Sequence, residues 1–251
     1  MNKVDHNYIY QWLKESAIVC RSFPKAKLQI TEKTPGHCVT DLDYAIDKLL
    51  KLRIGEQFPD HNIISEEGEN HFDPHQPYTW LLDPIDGTSY LIDGLKEYSV
   101  VIMLLYDQKP LVVGIINPEL ELIWLVTEDI AISEIVDINR SRFQNKILAS
   151  PHLKCRDQAL NRLIEPVGSI ANRICIAVTC DAKAAISVQK LSLWDVLPGM
   201  FMAQRHGYCV SDRHGKNINY ELNEGEQMVD GLVVARESDL AAMLRMINEK
   251  D

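Results

Sequence analysis

The sequence predicts an α+β protein made of two halves, and three observations support this fold class. Residues with helical periodicity open the chain, a run of hairpin-like strands follows, and strands alternate with helices in the remainder. The chain has 251 residues, of which 46% are hydrophobic and 25% charged, as in ordinary globular proteins. We therefore expect an α+β first half over residues 1–145 and an α/β second half over residues 146–251.

Two helices are expected near the start of the chain. From about Asp5 to Ser22, apolar side chains recur at the spacing of one helix face. A second helix is expected from Asp41, a good N-cap residue, through Leu50.

Short β-like segments come next and predict that sheet. They read NIIS, YTWLLD, EYSVVIMLLY, PLVVGIINP and ELIWLVTE. The last three are consecutive, and the turns DQKP and NPEL separate them. The segment from Ser99 to Thr127 is therefore predicted to form antiparallel hairpins.

From about Ile147 onward, the sequence pattern changes to alternating strand-like and helical segments. There ILAS is strand-like, CRDQALNRLIEP is helical, RICIAV is apolar and DVLPGMFMAQRHG is helical. The final stretch, GLVVARESDLAAMLRMINEK, predicts a strand, a turn and a terminal helix.

Charge and cysteine usage exclude several classes of protein. The formal net charge is -10, which argues against a basic face for nucleic acid. The six cysteines form no CxxC pair, as expected for a reducing compartment. The N-terminal segment is too polar for a signal peptide, and the longest apolar run, VVIMLL, is far shorter than a membrane span. We expect a cytoplasmic protein with no membrane partner.

The stretch LLDPIDGT carries the chemistry. Asp83 and Asp86 follow an apolar strand, and oxygen donors of this kind suit Mg²⁺. Two such cations about 4 Å apart can promote hydrolysis of a phosphate ester. The carbonyl of Ile85 could supply a further ligand, and Gly87 and Thr88 could begin a helix whose N–H groups bind phosphate. The alternative for an isolated DxxD is a capped turn.

Two further acidic segments strengthen the interpretation as a metal site. Glu66 and Glu67 in SEEGE follow the apolar run NII, and Asp195 in LWDV precedes a helical segment. Taken alone, the first would be a solvated acidic loop and the second an N-cap. Together with the aspartates of LLDPIDGT, they are what a site with several oxygen-bound cations needs.

The motifs SEE, WLLDPIDGT, GS and LWDV, in this order, resemble the inositol monophosphatase superfamily. VTDLD and VVA extend the resemblance over essentially the whole chain. It implies a five-layered αβαβα sandwich and a Mg²⁺-dependent phosphomonoesterase that acts on a small phosphorylated metabolite. It also implies two or three Mg²⁺ ions, commonly a homodimer, and often inhibition by lithium.

The resemblance assigns roles to individual residues. The implied metal ligands are Glu66, Asp83, the Ile85 carbonyl, Asp86 and Asp195. Glu66, Thr88 and Asp43 would be catalytic, since Thr88 and Asp43 would orient the nucleophilic water and help to deprotonate it. The implied substrate contacts are Asp86, Gly87, Thr88, Gly168, Ser169 and Lys190. Water would then attack the phosphorus directly, with no phosphoenzyme.

The sequence departs from the family pattern where the alcohol part of the substrate would bind. Counted back from Asp195 without gaps, Val188 and Ala184 fall where relatives have a glutamate and an aspartate. Lys190 would then serve a second anionic group or be simply an exposed lysine. His37 replaces an acidic residue and would either tune a third metal or lie at the surface of the PGHC turn.

Three alternatives therefore stay open. The SEE and KEYSV motifs also resemble those of relatives that cleave 3′(2′),5′-bisphosphate nucleotides. Short motifs do not separate these relatives from histidinol phosphatases. A different class would be a catalytically silent metal-binding protein that uses the same fold as a dimeric interaction surface. The retained carboxylates disfavour a catalytically silent protein, because clustered like charges repel one another when no metal is bound.

Overall fold

The computed structural model describes residues 6–68, 70, 72–127, 129, 131–134, 138–151, 153, 157–222 and 227–248, and the side chains of all of these except 131–134. The chain divides into two compact units, one of residues 1–136 with 222–224 and one of residues 137–221 with 225–251. Across these described ranges, no helix is both long enough and apolar enough to cross a membrane.

The first unit is built on a six-stranded sheet. Its elements in chain order are α1 (His6–Ser22), β1 (Ile30–Thr34), β2 (His37–Thr40), α2 (Asp41–Gln57), β3 (Asn62–Ser65), β4 (Tyr78–Asp86), α3 (Thr88–Ile92), β5 (Ser99–Tyr106), β6 (Lys109–Asn117), β7 (Leu122–Thr127) and β8 (Ala131–Glu134). Strands β3 to β8 follow one another across the sheet, with β3 and β4 parallel and the other neighbours antiparallel. Strands β1 and β2 form a separate antiparallel hairpin.

The core of this unit lies between α1, α2 and the sheet. Ile9, Leu13 and Leu50 are fully buried there together with Trp80 of β4. Helix α1 approaches β6 closely at Gly114, where a Cβ would lie 2.5 Å from Ile9 Cγ2 and 2.8 Å from Leu13 Cδ1. The absence of a side chain at residue 114 therefore sets the distance between helix and sheet.

This contact predicts opposite outcomes for the same substitution at two glycines. Gly114→Ala is expected to lower stability by about 1–3 kcal/mol, because the new methyl group overpacks a core whose β-branched Ile9 is stiff. Gly55→Ala in α2 is the matched control, since a Cβ there meets nothing within 4 Å. The control should raise stability by about 0.5–1 kcal/mol. Thermal denaturation midpoints measure both, and an unchanged midpoint for Gly114→Ala would contradict the packing described.

The structure confirms the predicted elements of the first half, but the cap of α2 differs, and strand β8 and the hairpin of β1 and β2 were not predicted. The predicted hairpins from Ser99 to Thr127 are β5, β6 and β7, and NIIS is β3. The predicted start of α1 at Asp5 lies outside the described residues. The prediction of Asp41 as the N-cap of α2 was wrong: the cap is Thr40, whose backbone is extended, and Asp41 is the first helical residue. The hairpin of β1 and β2 was not predicted, because its first strand is exposed throughout and lacks apolar alternation.

The second unit contains a five-stranded mixed sheet. Its elements are α4 (Arg140–Phe143), β9 (Ile147–Ala149), α5 (Gln158–Asn161), β10 (Ile164–Pro166), α6 (Ile170–Thr179), β11 (Ala184–Ser192), α7 (Leu193–Arg205), β12 (Cys209–Ser211), β13 (Met228–Ala235) and α8 (Glu237–Asn248). The strand order is β10-β9-β11-β13-β12, parallel on the β10 side and antiparallel on the β12 side.

The second-half predictions are confirmed at the ends of the unit and partly wrong in the middle. Strand β9, helix α7 and the terminal strand and helix lie where they were expected. The predicted helix CRDQALNRLIEP is a single turn, Gln158–Asn161, followed by strand β10, and its first two residues lie outside the described ranges. The apolar run RICIAV lies in helix α6, which is buried on most of its surface. An apolar run of this length fits a buried helix as well as a strand.

Candidate metal centre

Strand β4 brings two aspartates together because its pairing with β5 is interrupted. Asp83 lies opposite Val101 and Asp86 lies opposite Ser99, so β4 holds one residue more than β5 over this interval. Side chains three positions apart on a regular strand point to opposite faces, and one extra residue brings them to the same side. Pro84 has no N–H for the ladder, which favours the interruption here. Carboxylate oxygens of Asp83 and Asp86 consequently lie within 4.8 Å of one another.

Both carboxylates are removed from solvent. Asp83 is 1% exposed and Asp86 is 5% exposed, and Ser99 Oγ donates a hydrogen bond of 3.4 Å to Asp86 Oδ2. The Ile85 carbonyl between them accepts a hydrogen bond of 3.0 Å from Thr88 Oγ1. A carbonyl oxygen has a second lone pair, so this bond leaves capacity for one more partner.

Glu66 extends from the neighbouring strand toward the same end of the sheet. Strand β3 runs parallel to β4 and ends with Ser65 opposite Leu82. The amide of Glu66 then donates to the Leu82 carbonyl at 3.1 Å, which holds the acidic segment directly after the strand. Parallel strands end at one edge, so their terminal carboxylates are brought to that edge.

The electrostatics at Glu66 disfavour its charged form. Burial raises its pKa to about 7, and repulsion from the carboxylates of Glu67 and Asp43 acts in the same direction. The ammonium group of Lys33 and a hydrogen bond with Asp83 oppose this rise. A nearby cation would strongly favour the ionised form of a carboxyl group with such a pKa.

Two lysines contact the neighbouring Glu67, and neither was singled out from the sequence. Lys33 Nζ lies 2.5 Å from Glu67 Oε1, and Lys51 Nζ donates to the Glu67 carbonyl at 2.7 Å. Lys51 also pairs with Asp47 at 2.7 Å, and Asp47 accepts a 2.6 Å hydrogen bond from Ser65 Oγ. These contacts join the β1–β2 hairpin, α2 and the end of β3. These contacts can be seen only in the folded structure, since the residues are distant in sequence.

Thr88 and Asp43 form a hydrogen-bonded pair. Thr88 Oγ1 lies 2.9 Å from Asp43 Oδ1, and Asp43 Oδ2 accepts a 2.9 Å hydrogen bond from the Thr40 amide and another from its hydroxyl. Burial raises the pKa of Asp43, while the hydrogen bonds from Thr40 and Thr88 lower it in part. The structure thus brings together the two residues that the resemblance links to the attacking water.

Asp43 and Asp195 occupy the same position in two capping boxes. In α2 the Thr40 and Asp43 side chains each bond the other residue's backbone amide, and Ser192 and Asp195 do the same at the start of α7. Asp195 Oδ2 accepts from the Ser192 amide at 2.9 Å. The simple N-cap interpretation of Asp195 was therefore wrong, because it lies at the third helical position. The spacing T-x-x-D and S-x-x-D was the available signal.

Gly87 and the helix after it match the prediction only in part. Gly87 has φ +94°, a left-handed conformation that glycine adopts without steric cost, and it caps α3. Helix α3 has only five residues. It therefore lacks the length for a substantial macrodipole, and a phosphate here would depend on individual amides of Gly87 and Thr88.

Gly168 and Ser169 lie in the second unit, immediately before α6. Ser169 is the N-cap, and its Oγ accepts a 3.1 Å hydrogen bond from the Asn172 amide. The Gly168 carbonyl accepts a 2.8 Å hydrogen bond from Arg173. The predicted substrate loop is thus tied to its own helix.

The remaining singled-out residues are apolar or exposed. Ala184 is fully buried in the core of the second unit and Val188 packs against the same core, so neither offers a polar group. Lys190 is exposed on β11, opposite Asp230 of β13. His37 is exposed at the start of β2.

The donor set of the first unit fits hard divalent cations. Asp83 and Asp86 place buried carboxylates next to each other, and Glu66 adds a third whose pKa burial raises. Buried like charges are unfavourable without a counter-charge, and oxygen donors of this kind suit Mg²⁺ rather than softer metals. The residues present are therefore suited to the ions that the sequence motifs imply.

Comparison with known proteins shows the family of the chain. The family model described as "Inositol monophosphatase family" matches residues 4–249. The Nus factor SuhB of Xylella fastidiosa is 25% identical over 205 residues, which cover 75% of this chain and 74% of that protein. The 3′(2′),5′-bisphosphate nucleotidase CysQ of Salmonella typhimurium is 23% identical over 212 residues, covering 78% and 85%.

A solved structure establishes the fold. The Thermotoga maritima IMPase superposes with a TM-score of 0.80 over 99% of this chain and 98% of that one, at 19% identity. This likeness confirms the predicted α+β fold of the inositol monophosphatase type.

Proposed function

Because the chain belongs to the inositol monophosphatase family, whose members are metal-dependent phosphoric monoester hydrolases, we propose that it hydrolyses inositol 1-phosphate or a similar small phosphate monoester. The observation that carries the proposal is the interruption of β4, which holds the carboxylates of Asp83 and Asp86 within 4.8 Å of each other. A structural turn has no need of two buried carboxylates at that distance.

The proposed metal ligands are the carboxylates of Glu66, Asp83, Asp86 and Asp195 and the carbonyl of Ile85. They would hold two or three Mg²⁺ ions, which when bound would stabilise negative charge on the phosphoryl group and lower the pKa of a water molecule. The raised pKa of Glu66 supports this assignment, because a cation would restore its ionised form.

Thr88 and Asp43 would take the proton of the attacking water. The Thr88 hydroxyl has one proton and two neighbouring acceptors, Asp43 Oδ1 at 2.9 Å and the Ile85 carbonyl at 3.0 Å. When its hydroxyl donates to Asp43, its oxygen can accept a hydrogen bond from the water, so that a proton from water can pass to Thr88 as the Thr88 proton passes to Asp43. Asp43 would receive the proton that Thr88 gives up, and the rise of its pKa caused by burial favours the protonated carboxyl group that results.

Substrate recognition would rest mainly on the phosphate group. We assign its contacts to Asp86 with its metal, to the amides of Gly87 and Thr88, and to the loop at Gly168 and Ser169, with Lys190 as a further anion contact. Ala184 and Val188 provide no hydrogen bond for substrate hydroxyls, so discrimination between alcohols should be weak. The resemblance also supports a homodimer and lithium inhibition, the cysteine usage supports a cytoplasmic location, and the proposal includes all three.

The test is a phosphate-release panel. Its substrates are inositol 1-phosphate, 3′-phosphoadenosine 5′-phosphate, fructose 1,6-bisphosphate and histidinol phosphate, each assayed with Mg²⁺ and with chelator as control. We expect kcat/KM for inositol 1-phosphate to lie within about tenfold of the other active esters, since each missing polar contact removes about 1–3 kcal/mol of discrimination.

Each other outcome of the panel has a defined meaning. A preference of several orders of magnitude for the bisphosphate nucleotide would favour the nucleotidase alternative, which the likeness to CysQ keeps open. A similar preference for histidinol phosphate would favour the histidinol phosphatase alternative. No Mg²⁺-dependent release from any ester would overturn the proposal in favour of a silent interaction protein.

A further inference from the structure

Two side chains of α2 hold the chain on both sides of Glu66. Asp47 Oδ1 accepts a 2.6 Å hydrogen bond from Ser65 Oγ, in the residue before Glu66. Lys51 Nζ donates a 2.7 Å hydrogen bond to the carbonyl of Glu67, the residue after it. Asp47 and Lys51 also pair with each other at 2.7 Å. The two side chains therefore act together, and we name them the α2 clamp.

The spacing within the α2 clamp matches the spacing of the residues that it holds. Side chains four positions apart on a helix are about 5–6 Å apart at Cβ, and residues two positions apart on an extended chain are about 6.5 Å apart. Asp47 and Lys51 can consequently reach both neighbours of Glu66 at once, and both contacts are made. Glu66 directs its own carboxyl group to a hydrogen bond with Asp83. The clamp thus holds the backbone around a carboxyl group that belongs to the acidic site.

Lys51 holds the side of this segment that follows Glu66. Before Glu66, the amide of Ser65 donates to Asn70 Oδ1 at 2.8 Å, and Asn70 Nδ2 donates to the Ser65 carbonyl at 2.9 Å. These bonds fix the end of β3 without the clamp. After Glu66, the Glu67 carbonyl is held by Lys51. Loss of the Lys51 ammonium group would therefore release the chain on that side.

Lys51 differs from Lys33, the other lysine at this segment, in the group that it contacts. Lys33 contacts the carboxylate of Glu67, whereas Lys51 contacts its backbone carbonyl. A positive charge close to an acidic site lowers the affinity of that site for a cation, because like charges repel. If Lys51 acted through its charge alone, its removal would strengthen the binding of a cation. If it acts by holding the backbone, its removal would weaken that binding.

We propose that the α2 clamp positions Glu66 as a ligand of Mg²⁺. The inference rests on the proposed function and deepens it, because it identifies what holds one ligand of the proposed metal site. Asp47 and Lys51 are positioning residues, which act on the cation only through Glu66. Replacing residues that orient a metal ligand typically changes metal affinity by about 10- to 100-fold.

Lys51→Met tests the clamp, because methionine keeps an apolar stem and removes the ammonium group. The dissociation constant of Mg²⁺, measured by calorimetry on protein without substrate, should rise by about 10- to 100-fold. At saturating Mg²⁺ and substrate, kcat should stay within about threefold of the parent, since Glu66 itself is retained. Asp47→Asn keeps the shape of its side chain but loses the ion pair with Lys51. Its dissociation constant should rise by about three- to fivefold.

Lys48→Met is the matched control for the change in charge. Lys48 is exposed on the same helix, and its replacement removes the same unit of positive charge. The dissociation constant of Mg²⁺ should stay unchanged or fall slightly in this control, because one repelling charge is lost. If Lys51→Met also leaves the dissociation constant unchanged or lowers it, Lys51 acts through its charge or only stabilises the fold. The inference would then be wrong.

Asp47→Asn decides the outcome if Lys51→Met does not fold, because an unchanged dissociation constant in that variant would also overturn the inference. Failure of the proposed function is distinguishable from this result. It would appear as an absence of phosphate release from every ester by a parent protein that still binds Mg²⁺. A parent protein that binds no Mg²⁺ would overturn both the proposed function and the clamp.

Discussion

Asp83→Asn is expected to lower kcat by about a thousandfold or more. The substitution keeps the size of the side chain but removes a negative charge from a residue that is 1% exposed. Loss of this charge would weaken the hold on the cations that stabilise developing charge in the transition state, and every 1.36 kcal/mol in a barrier is a factor of ten in rate, so a loss of about 4 kcal/mol gives this factor. Phosphate release under saturating substrate and Mg²⁺ measures the effect.

The same variant should fold normally. Without metal its melting temperature should be at least that of the parent, because one of several repelling carboxylates is gone. Asp73→Asn is the matched control: its carboxylate accepts a 2.8 Å hydrogen bond from the His75 amide, which an asparagine oxygen also accepts. The control should keep full turnover. Near-normal turnover in Asp83→Asn would reduce the β4 motif to a structural turn.

Thr88→Val and Asp43→Asn are each expected to lower kcat by about 10²- to 10⁴-fold, the usual contribution of positioned proton transfer. Valine has the shape of threonine but has no oxygen to accept a proton from water. Asparagine at residue 43 can donate its amide to the Thr88 oxygen, which occupies the lone pair that the water requires. Steady-state kinetics at saturating substrate measures both variants.

The double variant separates a joint role from two independent ones. Because the two side chains share one hydrogen bond of 2.9 Å, the double variant should be about as slow as the slower single variant. Thr79→Val, the same substitution in strand β4, is the control and should keep its turnover. If the two losses multiply in the double variant, Thr88 and Asp43 do not act as a unit.

Several parts of the protein could be predicted because their causes are local. The three hairpin strands follow from alternating or continuous apolar residues between turn sequences, and helices α1 and α2 follow from apolar periodicity. The acidic residues of DPIDGT and SEE also stand at strand ends in the sequence itself. The fold class and the family were therefore available before any coordinates, and the assignment of these residues as metal ligands stays a prediction.

Local pattern was indecisive for RICIAV and misleading for CRDQALNRLIEP. RICIAV suits a buried helix and a buried strand equally, and only its packing beside α7 selected the helix. CRDQALNRLIEP consists of residues that favour a helix, yet its last three residues form β10, which pairs in parallel with β9. Propensity is weaker than the hydrogen bonds and burial that a neighbouring element supplies.

The tertiary structure alone decided how the acidic residues meet and what supports them. The extra residue in β4 depends on the register of β4 against β5. Register is a relation between two strands, so the sequence of one strand does not determine it. The contacts of Lys33 with Glu67 and of Arg173 with the Ile186 carbonyl join residues that are far apart along the chain. The sequence by itself determined which chemical groups this protein carries, whereas folding determined their distances, because a charge or a hydrogen bond acts through space and not along the chain.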